Sequence, residues 1–333
     1  MASSRDKTPR KPGSGQRARR PPAAAPDPDK VAAAKAQRRA EAEANAERRA
    51  AAAAARARRR RNRGMAFGAI GLVVVVVAIF VVVKVTAKPA ADTASGVQAA
   101  DPAVVAQITA LPVSVLDKAG DGGIAPQFFL PAGNPAALTQ GGLPRVLYVG
   151  GLFCPFCATQ RWPMIAALSR FGTFSGLRYA RSATTGETVK NIHTFDFSGV
   201  TFTSSYLTFS PYENEDRNHQ PLDSVPDADN TLMSTYDASP TLPSGLGSGT
   251  IPFVDLANHW VMAGASYDAP QLEGKTWAEI AGAATAGTGV GRQLDGVVNW
   301  LTAALCTLAG NKPASVCTDP VIAGLQARLP VPS

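Results

Sequence analysis

The chain has 333 residues, with 33 Lys+Arg, 25 Asp+Glu and four cysteines. Its net charge of +8 is unevenly placed: residues 1–63 hold 19 basic and 6 acidic residues, which leaves 14 and 19 for the remainder. The basic excess therefore belongs to one terminal segment, and the mildly acidic rest excludes a reading as a nucleic-acid-binding domain.

Residues 1–30 are rich in Pro, Ser, Gly and Arg and lack the apolar content for a core, so they are expected to be disordered. Lys30 to Ala57 is mostly Ala, Arg and Glu, with good helix propensity but no large apolar face. The reading for 1–63 is a basic, low-complexity cytoplasmic segment, its charge a solvated topology signal, with contact to anionic lipid or nucleic acid as the alternative. Met65 to Val83 then runs for 19 residues without a charge, including five consecutive valines. A bilayer core needs about 20 apolar residues of helix, so 64–86 is read as a single transmembrane helix. Arg56, Arg58, Arg59, Arg60, Arg61 and Arg63 precede it and only Lys84 and Lys88 follow closely. This bias puts the N-terminus in the cytoplasm and the C-terminal part outside, in a cell membrane, with lipid as the anchor's partner. Val85-Thr86-Ala87 has the form of a cleavage site, but the charged region before it far exceeds a signal peptide. Residues 87–101 read as a linker, and 102–333 as the extracytoplasmic domain. In that compartment disulfides persist. Four cysteines allow three connectivities, and the pairing expected is Cys154 with Cys157 and Cys306 with Cys317.

Within the domain, Val104, Val105, Ile108 and Leu111 recur at helical spacing before Pro112, and a Gly/Pro-rich loop follows from Ala119 to Gly142. Arg145 to Gly151 reads as a buried strand, Pro155 to Phe171 as a helix, and Gly176 to Ser182 as a second strand. Together they predict a parallel βαβ unit. Residues 192–212 predict one or two strands, Glu213, Glu215 and Asp216 open an acidic loop, and a short helix is expected at Asp229 to Tyr236. Ile251 to Leu256 and Trp260 to Ala265 predict an antiparallel hairpin. Helices near Thr276 to Ala286 and Val290 to Leu308 complete the domain.

The chemistry centres on Cys154-Pro155-Phe156-Cys157 at the strand-to-helix junction. Unpaired N–H groups at a helix N-terminus favour an anion and lower a thiol's pKa. Cys154 is thus the expected nucleophile, and Cys157, one turn further on the same face, the resolving thiol. Zinc sites use the same spacing, but the strand before, the helix after, and Thr250-Ile251-Pro252-Phe253 downstream favour redox chemistry. In a thioredoxin-like fold a cis-proline opens that later strand and faces the cysteines. Pro252 takes that role here, with Ile251, Pro155 and Phe156 shaping a substrate groove; a trans proline opening a strand is the alternative.

Several separated motifs resemble the membrane-anchored thioredoxin-like family catalogued as "domain of unknown function 929". They are Gly150 to Ala158, Arg161-Trp162, Ala167 to Phe174, Gly249 to Asp255, Gly264 to Tyr267, Leu305-Cys306 and Pro313 to Cys317. The resemblance covers about residues 100–327 and implies a thioredoxin-like α/β fold, here with an inserted loop and strand region, and a redox cysteine pair. The family carries no settled biochemical role. Leu152-Phe153 stand before the first cysteine where a more acidic, aromatic pair would be expected, so a proton-relay acid is absent from that position.

Phe156 offers neither donor nor charge where strong oxidants carry a histidine, so a less extreme thiol pKa and a milder potential are expected. Arg161 is read as a solvated helix arginine, with partial compensation for Phe156 from the same helix face as the alternative, and Trp162 as core or a lip over the site. Cys306 falls off the apolar stripe of the last helix, beside Asp295, Asn299 and Thr302, placed to clip the following loop as a structural disulfide. A shuttle role for that pair, or four cysteines on one zinc, are the alternatives. His193, His219 and His259 are read as surface residues, and no cofactor or metal is expected. The function expected is a thiol–disulfide oxidoreductase acting on thiols and disulfides of exported proteins with a membrane or extracytoplasmic redox partner. The alternative is a non-catalytic binding or assembly module whose disulfides are purely structural.

Overall fold

The computed structural model describes residues 96–128, 130, 135–237 and 249–331. The basic segment 1–63, the apolar run 64–86 and most of the linker at 87–101 lie outside the described residues. No helix among the described residues is long and apolar enough to cross a membrane.

In chain order, Gln98–Ala99 (β1) precedes two short helices, Pro102–Thr109 (α1) and Val113–Ala119 (α2). Thr139–Gln140 (β2) and Leu143–Gly150 (β3) lead into the helix Pro155–Leu168 (α3). Five strands follow: Gly172–Ser175 (β4), Arg178–Arg181 (β5), His193–Asp196 (β6), Thr201–Ser204 (β7) and Thr208–Glu213 (β8). The helix Asp227–Asp237 (α4) comes next, then a hairpin of Phe253–Leu256 (β9) and Trp260–Ala263 (β10). Trp277–Ala286 (α5), Val290–Leu308 (α6), Ala314–Cys317 (α7) and Pro320–Gln326 (α8) finish the domain, a mixed α/β fold with strands and helices interleaved.

The main sheet has the order β10–β9–β3–β8, with β2 folded back onto the start of β3. β3 runs parallel to β8 from Arg145 opposite Thr208 to Gly150 opposite Glu213, and antiparallel to β9 on its other side. The expected parallel partner, the strand at 176–182, instead pairs antiparallel with β6 and β1 in a separate sheet. β4 and β7 form a further two-stranded ribbon, so the whole of β4 to β7 is inserted between α3 and the true partner strand. The apolar run Val146-Leu147-Tyr148-Val149 reflects a sheet covered on both faces. Val146 and Tyr148 belong to the large core with Trp162 and Ile165 of α3 and Leu301 of α6, whereas Leu147 and Val149 meet Tyr236 of α4 on the opposite face. Arg145 fixes α4 to the sheet through a two-pronged ion pair with Asp229, at 2.8 and 2.6 Å.

α3 is buried along nearly its whole length. Trp162 is core, not a lip: its ring meets Phe195 edge-on at 4.9 Å and its Nε1 donates to the His193 carbonyl. α6 departs most from the expected pattern. The side holding Asp295, Asn299, Thr302 and Cys306 is as buried as the apolar stripe, because α2 packs against it. Asn299 Nδ2 donates to the carbonyls of Leu116 and Gly120 at the end of α2, so the polar residue caps a helix inside the protein. Cys306 is therefore a core residue, bonded to buried Cys317 as a disulfide with a Cα–Cα distance of 5.5 Å.

Two predictions follow from this packing. Closing an eleven-residue separation by a disulfide is worth about 3 kcal/mol in the chain-entropy model. The variant Cys306→Ala/Cys317→Ala should lose stability of that order in urea unfolding while Cys154 alkylates at the wild-type rate. Asp295 is fully buried, neither carboxylate oxygen has a hydrogen-bond partner, and burial pushes its carboxyl up to about 8. Its pKa when folded is above its unfolded value of about 3.9. The stability it contributes is thus complete below that value and is lost as pH rises through about 8. Asp295→Asn should widen its stability advantage over wild type between pH 5 and pH 8, by on the order of a few kcal/mol; an unchanged gap in urea midpoints would contradict this.

Candidate functional site

Cys154 is the N-cap of α3, with Pro155 at the first helical position where a missing N–H costs nothing. Its sulfur accepts the backbone N–H of Cys157 at 3.2 Å, filling the role that a Ser or Asp oxygen has at ordinary caps. Cys154 Sγ also lies 3.7 Å from the carbonyl oxygen of Ile251, to which the thiol donates. The Ile251–Pro252 peptide is cis. Ile251 and Pro252 are thus brought against the cysteine pair as expected, and Phe156, 40 % exposed, stands on the open side.

Both cysteines are free thiols, so the pair is in its dithiol state and not the expected disulfide. The two sulfurs are unequal. Cys157 is wholly buried, and Cys154 retains 4 % exposure. The Cys154 thiol is held below the ordinary range, first by a hydrogen bond from the Cys157 thiol, against burial, with the backbone N–H groups of Cys157 and Phe156 and the charge of Arg161 adding to the effect. Burial pushes Cys157 well up, and its role as donor to Cys154 adds to this.

Arg161 corrects the reading of a solvated side chain: it is completely buried. It sits one turn after Cys157, and long helix side chains lean toward the N-terminus, which carries the guanidinium back under the cysteine turn. Nε and Nη2 donate to the two carboxylate oxygens of Glu213 at 2.7 and 2.6 Å, and Nη2 also donates to the Gly151 carbonyl at 2.8 Å. Nη1 has no hydrogen-bond partner. Glu213 is not part of an acidic loop; it is the last residue of β8, fully buried, opposite Gly150 in the parallel register. Burial pushes its carboxyl up to about 7, against the pull of Arg161. A buried acid thus reaches this layer from the neighbouring strand, held by Arg161.

Gly150 and Gly151 complete this layer. A Cβ at Gly150 would stand 2.2 Å from the Tyr148 hydroxyl, and one at Gly151 2.9 Å from the Asn214 side-chain oxygen. The residues before Cys154 are pinned by two loops: Leu152 N–H donates to the Glu215 carbonyl and Ala183 N–H to the Phe153 carbonyl. Phe153 packs on His219 with ring centroids 4.1 Å apart, and His219 Nδ1 lies 3.0 Å from a Glu215 carboxylate oxygen. Of the three histidines read as surface residues, His219 is exposed as expected, whereas His193 and His259 are half-buried against Trp277 and Trp260.

Two signals could have exposed the buried layer. Arg161 is the only charged residue in the fourteen of α3, which is a mark of a helix with no solvated face. Glu213 directly follows a strand-like run, Thr208 to Tyr212. Cys306 and Cys317 lie elsewhere, at α6 and α7, and no group of three or more potential metal ligands occurs among the described residues.

Residues 132–290 match the family model described as Domain of unknown function (DUF929). The match contains the cysteine pair, Arg161, Glu213 and the Ile251–Pro252 bond, and ends before Cys306. Comparison with curated proteins and with solved structures gave no match.

The inequality of the sulfurs gives a direct prediction. In the full chain, the rate of Cys154 alkylation by iodoacetamide should reach half its maximum below pH about 8.5, the value of a free cysteine, while Cys157 stays unmodified until the protein unfolds. A midpoint at or above 8.5 would contradict the geometry.

Proposed function

We propose that this chain is a membrane-anchored, extracytoplasmic thiol–disulfide oxidoreductase with a thioredoxin-like domain, acting on exported proteins. The observation that carries the reading is the division of labour within Cys154-Pro155-Phe156-Cys157. Both are buried, but one sulfur, in a residue 4 % exposed, caps the helix and accepts backbone N–H hydrogen bonds; the other is wholly enclosed and protonated. That is the pairing a nucleophile and a resolving thiol require. The thioredoxin-like reading is supported by the order β10–β9–β3–β8, with a parallel β3–β8 pair, an antiparallel hairpin, and the cysteines at the start of the helix that leaves β3. The anchor is supported by the apolar run 65–83 behind its arginines.

In the exchange, the Cys154 thiolate attacks one sulfur of a substrate disulfide, forming a mixed disulfide and releasing the first substrate thiolate. Cys157 gives up its proton and attacks the Cys154 sulfur, which releases the second. Two electrons pass to the substrate, and a Cys154–Cys157 disulfide remains. The reverse sequence oxidises a substrate dithiol. Ile251, beside the reacting sulfur, and Phe156 on the open side form the walls along which a peptide would lie.

Cys157→Ser removes the resolving thiol and keeps the attacking one. Expressed as the full chain in its own membrane, this variant should accumulate reducible adducts with exported proteins through Cys154, and Cys154→Ser/Cys157→Ser should accumulate none. If the two variants behave alike, the exchange reading fails and the non-catalytic binding module takes its place.

A further inference from the structure

Beneath the cysteine pair lies a buried charge that packing alone does not account for. Arg161 and Glu213 are both completely enclosed, and Nη1 of the guanidinium is left without an acceptor in the dithiol state. A buried ion pair is at best a weak source of stability, since apolar residues of similar volume commonly serve a fold equally well or better. An unsatisfied buried N–H adds further cost. The pair is also asymmetric toward the sulfurs. Arg161 shares α3 with both cysteines, four residues from Cys157 and seven from Cys154, and its Nη2 is tied to the Gly151 carbonyl three residues before Cys154. Glu213 reaches the layer from the next strand, hydrogen-bonded to Arg161, and its charge acts on Cys157 in the sense opposite to that of Arg161.

We infer that Arg161 is a positioning residue for the redox pair: its buried guanidinium stabilises the reduced, ionised dithiol over the uncharged disulfide, and so makes Cys154–Cys157 an oxidant of substrate thiols. The inference rests on the exchange reading above and supplies its direction. A disulfide carries no charge for the guanidinium to meet, whereas a thiolate does, so whatever favours the thiolate draws the equilibrium toward the dithiol. The charge that Phe156 does not provide beside the sulfurs comes from below them. The reaction is a substrate dithiol plus the Cys154–Cys157 disulfide, giving a substrate disulfide plus the Cys154 and Cys157 thiols. Two electrons and two protons move from the substrate to the pair. A second disulfide, protein-borne or of low molecular weight, then accepts those two electrons and restores the Cys154–Cys157 bond.

The test is the equilibrium of the purified full chain with reduced and oxidised glutathione, read by alkylation of Cys154 and Cys157, together with the pH profile of Cys154 alkylation. Arg161→Met/Glu213→Leu removes both charges while keeping an apolar filling, which guards against loss of folding. It should lower the constant for reduction of the pair about tenfold, equivalent to about 30 mV for two electrons, and move the alkylation profile to higher pH. Arg161→Lys, which retains the charge, should restore most of both. Glu213→Gln, which leaves Arg161 unopposed, should shift both the other way; a packing effect would not change sign between these variants. A wild-type chain that cycles with glutathione, while the double variant keeps the same constant and profile, overturns the role of Arg161 alone. A wild-type chain that forms no Cys154–Cys157 disulfide at any glutathione ratio overturns the exchange reading itself.

Discussion

The parallel pairing of β3 with β8 is the constraint on which the site depends. Six consecutive positions, Arg145 to Gly150, are locked in register with Thr208 to Glu213. A side chain sixty residues distant in sequence from Cys154 is thereby delivered beneath it. The same strand is held on its other side by β9, just before which the Ile251 carbonyl reaches the Cys154 sulfur. The dithiol, the buried acid and the Ile251 carbonyl are therefore three products of one strand's two neighbours. Because side chains alternate across the sheet, the strand also divides the interior: Val146 and Tyr148 face α3 and α6, and Leu147 and Val149 face α4.

Local signals in the sequence identified the hairpin, the long α6 and the cysteine-bearing helix because each is written in adjacent residues. The turn of the hairpin is one case. Ala257 and Asn258 both adopt positive φ, near 57° and 56°, and the Asp255 carboxylate accepts the Asn258 N–H at 2.6 Å. Non-local pairing was not legible. Gly176 to Ser182 has the apolar content of a strand, and nothing within it says that its partners are β6 and β1 and not β3. Burial of charge was hidden for a related reason. Arg161 and Glu213 each look solvated until the other is known, since an ion pair makes burial tolerable only jointly. Asn299 was misread likewise, because its partners are carbonyls of α2 some 180 residues away.

The two cysteine pairs use burial for opposite ends. Cys306 and Cys317 are enclosed and joined, tying α6 to α7. Cys154 and Cys157 are enclosed unequally and unjoined, with hydrogen-bond donors directed at one sulfur. The same amino acid thus acts as a covalent clamp in one place and as a helix cap with a reactive atom in another, and the difference lies in what surrounds the sulfur.

Neither Gly150 nor Gly151 has a left-handed backbone, so their identity is not dictated by their own dihedral angles. The missing side chains are demanded by neighbours: the phenol of Tyr148 at Gly150, and the ring of Phe153 with the amide of Asn214 at Gly151, fill the volume that any larger residue would need. The diglycine before the cysteine turn works as a mould cast by the layer beneath it. Its sequence is a record of the shape of Tyr148, Phe153 and Asn214.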